Sequence, residues 1–353
     1  MPEEFTRVFV ASSIGNTHIA KETANQDSVE SWIAPDGIHF CVAISDGHGS
    51  STHPYSEFGS KFAVAISIEV YKIAFENDPA SLDPLDLFQE VISRWSAQCN
   101  SHFTEQISAV DPLKVFSLKL YGATLCIVYV SGDSISIASL GDSTVYFRNH
   151  NGRYSKFLIH DDSPGEATFS LCQSNAISRL EIAHIPYSSG IIVFSTDGII
   201  KSLKSSEDYS LIVNYYLDLL KTGCTAKQLS SDLSSQLETF SRDGSGDDCT
   251  LAIVYIPVDK KLFNSVSNFS EVTDANLENF APKLNPDFKK KVSARVFTLL
   301  PLMSLLLITA LLTTVTFYKP IRNQVLLRIR SSLCSKDLNP GQLQNPVLQV
   351  KGQ

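Results

Sequence analysis

Residues 38–50 read Ile-His-Phe-Cys-Val-Ala-Ile-Ser-Asp-Gly-His-Gly-Ser. The apolar run Ile38–Ile44 is long enough for one buried strand, and it stops at Ser45-Asp46-Gly47-His48-Gly49. A strand that ends this way leaves a carboxylate and an imidazole at the rim of a sheet. The two glycines let the backbone turn sharply, and Gly47 can offer its carbonyl to whatever Asp46 holds. The arrangement suits a divalent cation with a proton donor beside it. By itself the stretch is equally a polar turn after a strand; its weight comes from similar acidic strand ends elsewhere in the chain.

Upstream, residues 6–14 and 28–34 have strand character, with Gly15-Asn16-Thr17-His18 and Asn25-Gln26-Asp27 between them. Downstream, Phe58, Phe62, Ala65, Ile66, Val70 and Ile73 recur at helical spacing over 55–75, and Phe88, Val91, Ile92, Trp95, Cys99 and Phe103 mark a second helix. Strands resume at Ala123–Val130, Ile135–Leu140, Thr144–Arg148 and Tyr154–Ile159, joined by short Gly, Asp and Asn turns that predict antiparallel hairpins. Residues 160–182 read as loop. A strand over Ile191–Thr196 ends at Asp197-Gly198, helices follow over Leu211–Leu220 and Ala226–Phe240, and Asp247-Asp248-Cys249-Thr250 opens a strand over Leu251–Ile256. A helix pair for each face of a two-sheet core predicts an α+β, four-layer α-β-β-α sandwich.

Residues 1–257 carry 16 Lys and Arg against 31 Asp and Glu, a net −15, whereas 258–353 carry 13 against 6, a net +7. The acidic body argues against nucleic acid as a partner. Seven cysteines without a CxxC pair, several inside apolar runs (Cys41, Cys126), read as buried thiols in a reducing compartment. Residues 258–295 form a polar and basic linker. Residues 296–318 then run 23 positions without a charge, the length of a single transmembrane helix, and 319–353 form a short tail. With no leader-like apolar segment at the start and a basic run before the span, the folded body is expected on the cytoplasmic side; the flanking charges are nearly balanced, so charge bias adds little.

Asp27, Asp46, Asp142, Asp197 and Asp247 each stand at the end of an apolar strand. Hard cations such as Mg²⁺ and Mn²⁺ take carboxylate, carbonyl and water oxygens, and carboxylates gathered in one cleft repel each other unless cations neutralise them. No His/Cys cluster at zinc spacing competes with that reading.

The ordered set NQDS, SDGHGS, GATLCIVYV, ASLGDSTVYF, VFSTDGII and GDDCTLAIVYI resembles the metal-dependent, protein phosphatase 2C-type serine/threonine phosphatases over roughly residues 8–257. The G-x-x-H…NQDS opening is similar to that of the compact bacterial branch. The resemblance implies a binuclear Mn²⁺ or Mg²⁺ centre at one edge of a β-sandwich. Asp46 would bridge the ions with the Gly47 carbonyl beside it, Asp197 and Asp247 would hold the first ion, and Asp27 would support the site through waters. A water between the ions would attack phosphorus, and His48 would protonate the departing oxygen. Asp247 is preferred to Asp248 because it takes the first place of the family's Asp-(Asn/Asp)-x-Thr pattern.

The chain departs from that pattern in three places. No Arg lies between Arg7 and Asp27 to grip phosphate, leaving His18 or Lys21 as substitutes. Gln26 stands where Glu is usual. Lys201 stands where a second Asp would join Asp142 around a third ion, which argues against that ion and leaves Lys201 to supply positive charge in its place. The stretch from Asp142 to Asp197 leaves room for only a short flap, so few built-in specificity contacts are expected. The expected function is a membrane-tethered phosphatase of cytoplasmic phosphoproteins, with a Ser/Thr kinase as a candidate partner. The alternatives are a pseudophosphatase that serves as a phosphoprotein- or kinase-binding module, and an enzyme acting on another phosphoester.

Overall fold

The computed structural model of the chain describes residues 5–78, 82–157, 168–205, 208–221 and 224–257. The linker, the transmembrane segment at 296–318 and the tail expected from the sequence lie outside the described residues. Among the described residues, no helix is long and apolar enough to cross a membrane.

Two five-stranded antiparallel sheets form the centre. One has the order β1 (Arg7–Ser13), β10 (Cys249–Ile256), β9 (Gly190–Ser195), β6 (Thr144–Asn149), β7 (Tyr154–Phe157). The other has the order β2 (Ser28–Ile33), β3 (Phe40–Ser45), β4 (Leu125–Ser131), β5 (Ser134–Leu140), β8 (Glu181–Pro186).

Why the central strands are so apolar follows from what covers them. Phe40, Val42 and Ile44 face Phe194, Ala252 and Val254 between the sheets. The alternate residues Cys41 and Ala43 face outward onto α2 (Ser56–Asn77) and α3 (Pro84–His102), against Trp95 and Phe88. In the other sheet Ile191, Val193, Leu251 and Ile253 meet α5 (Tyr209–Lys221) and α6 (Ala226–Phe240) through Val213, Leu217, Leu229, Leu233 and Leu237. The central strands are covered on both faces, so both parities are mostly apolar, and the polar residues they do carry, such as Ser136, Ser139 and Thr250, are small and buried. The result is the expected helix-sheet-sheet-helix stack.

The helix boundaries have local causes. Asp83 caps α3 by accepting from the Leu85 and Asp86 amides, with Pro84 at the first helical position. Thr225 and Gln228 form a reciprocal capping box at the start of α6. Gly59 lets α2 press on the turn Leu118–Tyr121: a side chain there would meet the Tyr121 carbonyl oxygen at 2.0 Å. The Gly59 carbonyl in turn accepts from the buried Trp95 indole at 2.9 Å.

Three sequence expectations are corrected. Gly141-Asp142-Ser143 is not a hairpin turn: β5 and β6 belong to different sheets, and the chain crosses from one to the other there. Gly141 makes the crossing with φ +121°, against Thr124. The stretch 160–182, read as loop, contains the beginning of β8, an edge strand whose Ile182 is exposed and whose pattern offers no apolar run. Two short helices were also unforeseen, α1 (Asn16–Ala20) and α4 (Asp197–Ser202).

Candidate metal centre

The sandwich brings strand ends from both sheets to one edge. Asp46 follows β3, and its geometry is fixed by Thr124: the Asp46 amide donates to Thr124 Oγ1 at 2.9 Å and its carbonyl accepts from the Thr124 amide at 2.8 Å. Ser45 Oγ donates to the Thr124 carbonyl at 2.5 Å. Gly47 is hemmed in by the Ser56 and Gln26 carbonyl oxygens, at 2.7 and 2.9 Å from any added Cβ, so the turn that presents Asp46 needs glycine. Asp142 lies on the sheet-to-sheet crossing and accepts from Thr168 Oγ1 at 2.9 Å. Asp197 opens α4 directly after β9.

Asp46, Asp142 and Asp197 each place a carboxylate oxygen within 4.8 Å of the others. Asp247 joins this group through Lys201, whose Nζ lies 2.6 Å from Asp197 Oδ2 and 3.0 Å from Asp247 Oδ2. Asp27 is buried behind the cluster and accepts from Thr196 Oγ1 at 2.7 Å.

The neighbouring carboxylate has a different job. Asp248, 3% exposed, accepts from the main-chain amides of Gly15 and Gln26 at 2.6 Å each, and its Oδ1 lies 2.8 Å from His18 Nδ1. It therefore clamps the loop that delivers Asp27. His18 stands against this clamp, with Nε2 facing the Gly49 loop. Lys21 is exposed, and among the described residues no side-chain hydrogen bond or ion pair connects it to the cluster. Gln26 turns its side chain to Ser56 Oγ and the Ala24 carbonyl, at 2.5 and 3.0 Å.

Electrostatically the cluster is under-compensated. Burial first, then Asp27, Asp197, Asp142 and Asp247, push the Asp46 carboxyl well above its ordinary value. Burial likewise raises Asp27, against the Thr196 hydrogen bond and with the repulsion of Asp248. Burial and Asp142 raise Asp197 to about 6 although Lys201 works to lower it. Among the described residues, Lys201 is the cation paired with this group. An all-oxygen donor set with excess negative charge fits a hard divalent cation.

His48 lines an open groove with Ser50, His53, Lys119, Thr168, Ser170, Cys172 and Gln173. Its ring centroid lies 5.0 Å from that of His53. Burial and His53 lower its pKa to about 4, against the attraction of Asp142, so the imidazole is neutral near pH 7. Sequence reasoning set Asp248 aside as a ligand without foreseeing its clamp, and it overlooked Thr124, Thr196, His53 and Lys119. Thr196 and Asp248 do stand inside quoted motifs; His53 and Lys119 reach the groove only through the packing of Leu118–Tyr121 against α2 and carry no pattern of their own.

Comparison with known proteins agrees with the topology. A bacterial serine phosphatase crystal structure superposes with a TM-score of 0.52 at 16% identity, covering 72% of this chain and 99% of that one. The S. agalactiae serine/threonine phosphatase gives 0.50 at 17% identity, covering 72% and 100%. At such identities the likeness is one of fold. No curated protein sequence matches significantly. The family model described as Protein phosphatase 2C matches residues 14–238, and by that match over more than half its length the chain belongs to the protein phosphatase 2C family.

Proposed function

We propose that the chain is a metal-dependent protein serine/threonine phosphatase acting on phosphoproteins. The observation that carries this reading is the convergence of Asp46, Asp142 and Asp197 beside a groove lined by His48. Mn²⁺ or Mg²⁺ would be held by Asp46, the Gly47 carbonyl, Asp197 and Asp247, with Asp27 behind them and Asp142 at the other side. Bound there, such ions supply Lewis acidity and a water of lowered pKa.

The chain's own contribution is positional and protonic. Thr124, Thr196 and Asp248 hold the carboxylate-bearing loops rigid, which keeps the oxygens pre-aimed. His48 moves a proton at the leaving oxygen. Because His48 is neutral near pH 7 before substrate binds, it takes its proton from solvent as the substrate enters: a phosphate dianion in the groove supplies the negative charge that favours imidazolium, which then gives that proton to the leaving oxygen. His53 and Lys119, on the same groove, face the incoming phosphoryl group and take over part of the work of the missing arginine, with His18 and Lys21 further out. The segment 296–318 would tether the body to a membrane with the catalytic part on the cytoplasmic side, next to phosphorylated proteins and a Ser/Thr kinase.

A second reading, a phosphoprotein-binding module with weak turnover, draws support from Lys201, which already satisfies two of the carboxylates. The deciding assay uses the full-length protein with para-nitrophenyl phosphate and a phosphothreonine peptide, with and without Mn²⁺, beside Asp46→Asn. Mn²⁺-dependent turnover abolished by the substitution supports the phosphatase. A folded protein that binds the peptide without turnover supports the module.

A further inference from the structure

Lys201 lies one helical turn after Asp197 on α4, so its side chain returns along the helix face to that carboxylate. It also reaches across to Asp247, which precedes β10, and so one ammonium joins two carboxylates that are distant in sequence. Its side chain is 52% exposed, which leaves it free to swing into solvent without unpacking the core. Burial works to lower its pKa, but the attraction and hydrogen bonds of Asp197 and Asp247 outweigh this, and the ammonium is held above its ordinary value. Lys201 is paired with Asp197 and Asp247 and not with Asp142. The positive charge therefore sits on the carboxylates assigned to the first ion, not beside a third.

We propose that Lys201 is a resident counterion of the Asp197–Asp247 edge, which a divalent cation must displace before it can bind there. The inference rests on the metal-dependent reading of this site. In the metal-free protein the ammonium offsets repulsion between the two carboxylates and keeps the edge assembled. On metal binding the same ammonium must give up both contacts and then faces a like charge. The centre therefore loads only above a higher metal concentration than its carboxylate count alone would set.

The test is isothermal calorimetry of MnCl₂ into the full-length wild type, Lys201→Met and Lys201→Arg, with melting temperatures measured in excess EDTA. Lys201→Met is expected to bind Mn²⁺ roughly ten-fold more tightly, the worth of one charge-assisted hydrogen bond, and to melt lower than wild type when metal-free. Lys201→Arg, which keeps the charge, is expected to stay within about three-fold of wild type, a difference of well under 1.4 kcal/mol. Equal affinity of wild type and Lys201→Met, or weaker binding by Lys201→Met, overturns the counterion role and leaves the metal reading standing. Absence of Mn²⁺ binding in all three proteins overturns both. The EDTA melting curves separate a misfolded variant from an informative one, because a folded Lys201→Met with unchanged metal-free stability also counts against the proposal.

Discussion

Asp247 and Asp248 are adjacent and chemically identical, yet the structure gives them opposite work, and Asp248→Ala tests that division. Asp248 is 3% exposed and accepts two main-chain hydrogen bonds at 2.6 Å, from Gly15 and Gln26. Hydrogen bonds to a charged group contribute about 1.5–3 kcal/mol each, so the two are worth roughly 3–6 kcal/mol. Removing Asp248 also removes its repulsion of Asp27, which brings the net cost to the lower end, about 3 kcal/mol. Domains of roughly 150–250 residues lose about 2–4 °C of melting temperature per kcal/mol, so Asp248→Ala should melt about 6–12 °C below wild type. Asp247, whose side chain is 36% exposed and pairs with Lys201, should behave differently. Asp247→Ala should stay within about 4 °C, since an exposed ion pair is worth ~0–1 kcal/mol. Differential scanning calorimetry of the metal-free proteins is the assay. A loss below about 2 °C for Asp248→Ala, or equal losses for the two variants, would refute the clamp.

Two further outcomes are expected. His48→Ala should slow hydrolysis of a phosphothreonine peptide by about 10²–10⁴-fold, but slow para-nitrophenyl phosphate far less because its leaving group needs no proton; equal slowing on both would count against the acid role. Asp197, raised to about 6 by burial and Asp142, keeps in the fold a proton that the unfolded chain has lost, so the stability from that proton is complete below about pH 4 and disappears as pH rises through about 6. His48, lowered to about 4, acts in the other direction and loses stability as pH falls below about 6.5. Because Mn²⁺ competes with the Asp197 proton, the Mn²⁺-induced rise in melting temperature should shrink as pH is lowered from about 7 to about 5; a constant increment would contradict this.

Much of the architecture was legible because each central strand is buried on both faces. Runs such as Phe40–Ser45 and Leu125–Ser131 have no polar interruption, and they were found where the pattern placed them. The edge strand Glu181–Pro186 was not, since an exposed edge needs no apolar parity and Ile182 points to water. The crossing at Gly141-Asp142-Ser143 looked like a hairpin because a short Gly/Asp link between two strands has the same composition whether the next strand stays in the sheet or leaves it. At the site, Asp46, Asp142 and Asp197 could be named from their places after apolar runs, and the fold gathers them. The motif put Asp247 before Asp248 as a ligand, but the clamp made by Asp248 was beyond any local pattern, because its partners Gly15 and Gln26 are remote in the chain.

β10 is the last strand among the described residues, and both its sheet and the acidic cluster depend on it. Among the described residues, β1 pairs only with β10 in its sheet, and β10 also lies against β9. A nascent chain emerged as far as residue 240 already carries Asp27, Asp46, Asp142 and Asp197. It still lacks the strand that joins β1 to β9, and it lacks the carboxylate that fixes Gly15 and Gln26. Insertion of Cys249–Ile256 closes the sheet and the clamp in one step. Pairings of this sequence separation form late and slowly. A chain broken anywhere before Asp247 lacks the strand that joins β1 to β9 and both the Asp247 and Asp248 carboxylates, so its acidic cluster is incomplete.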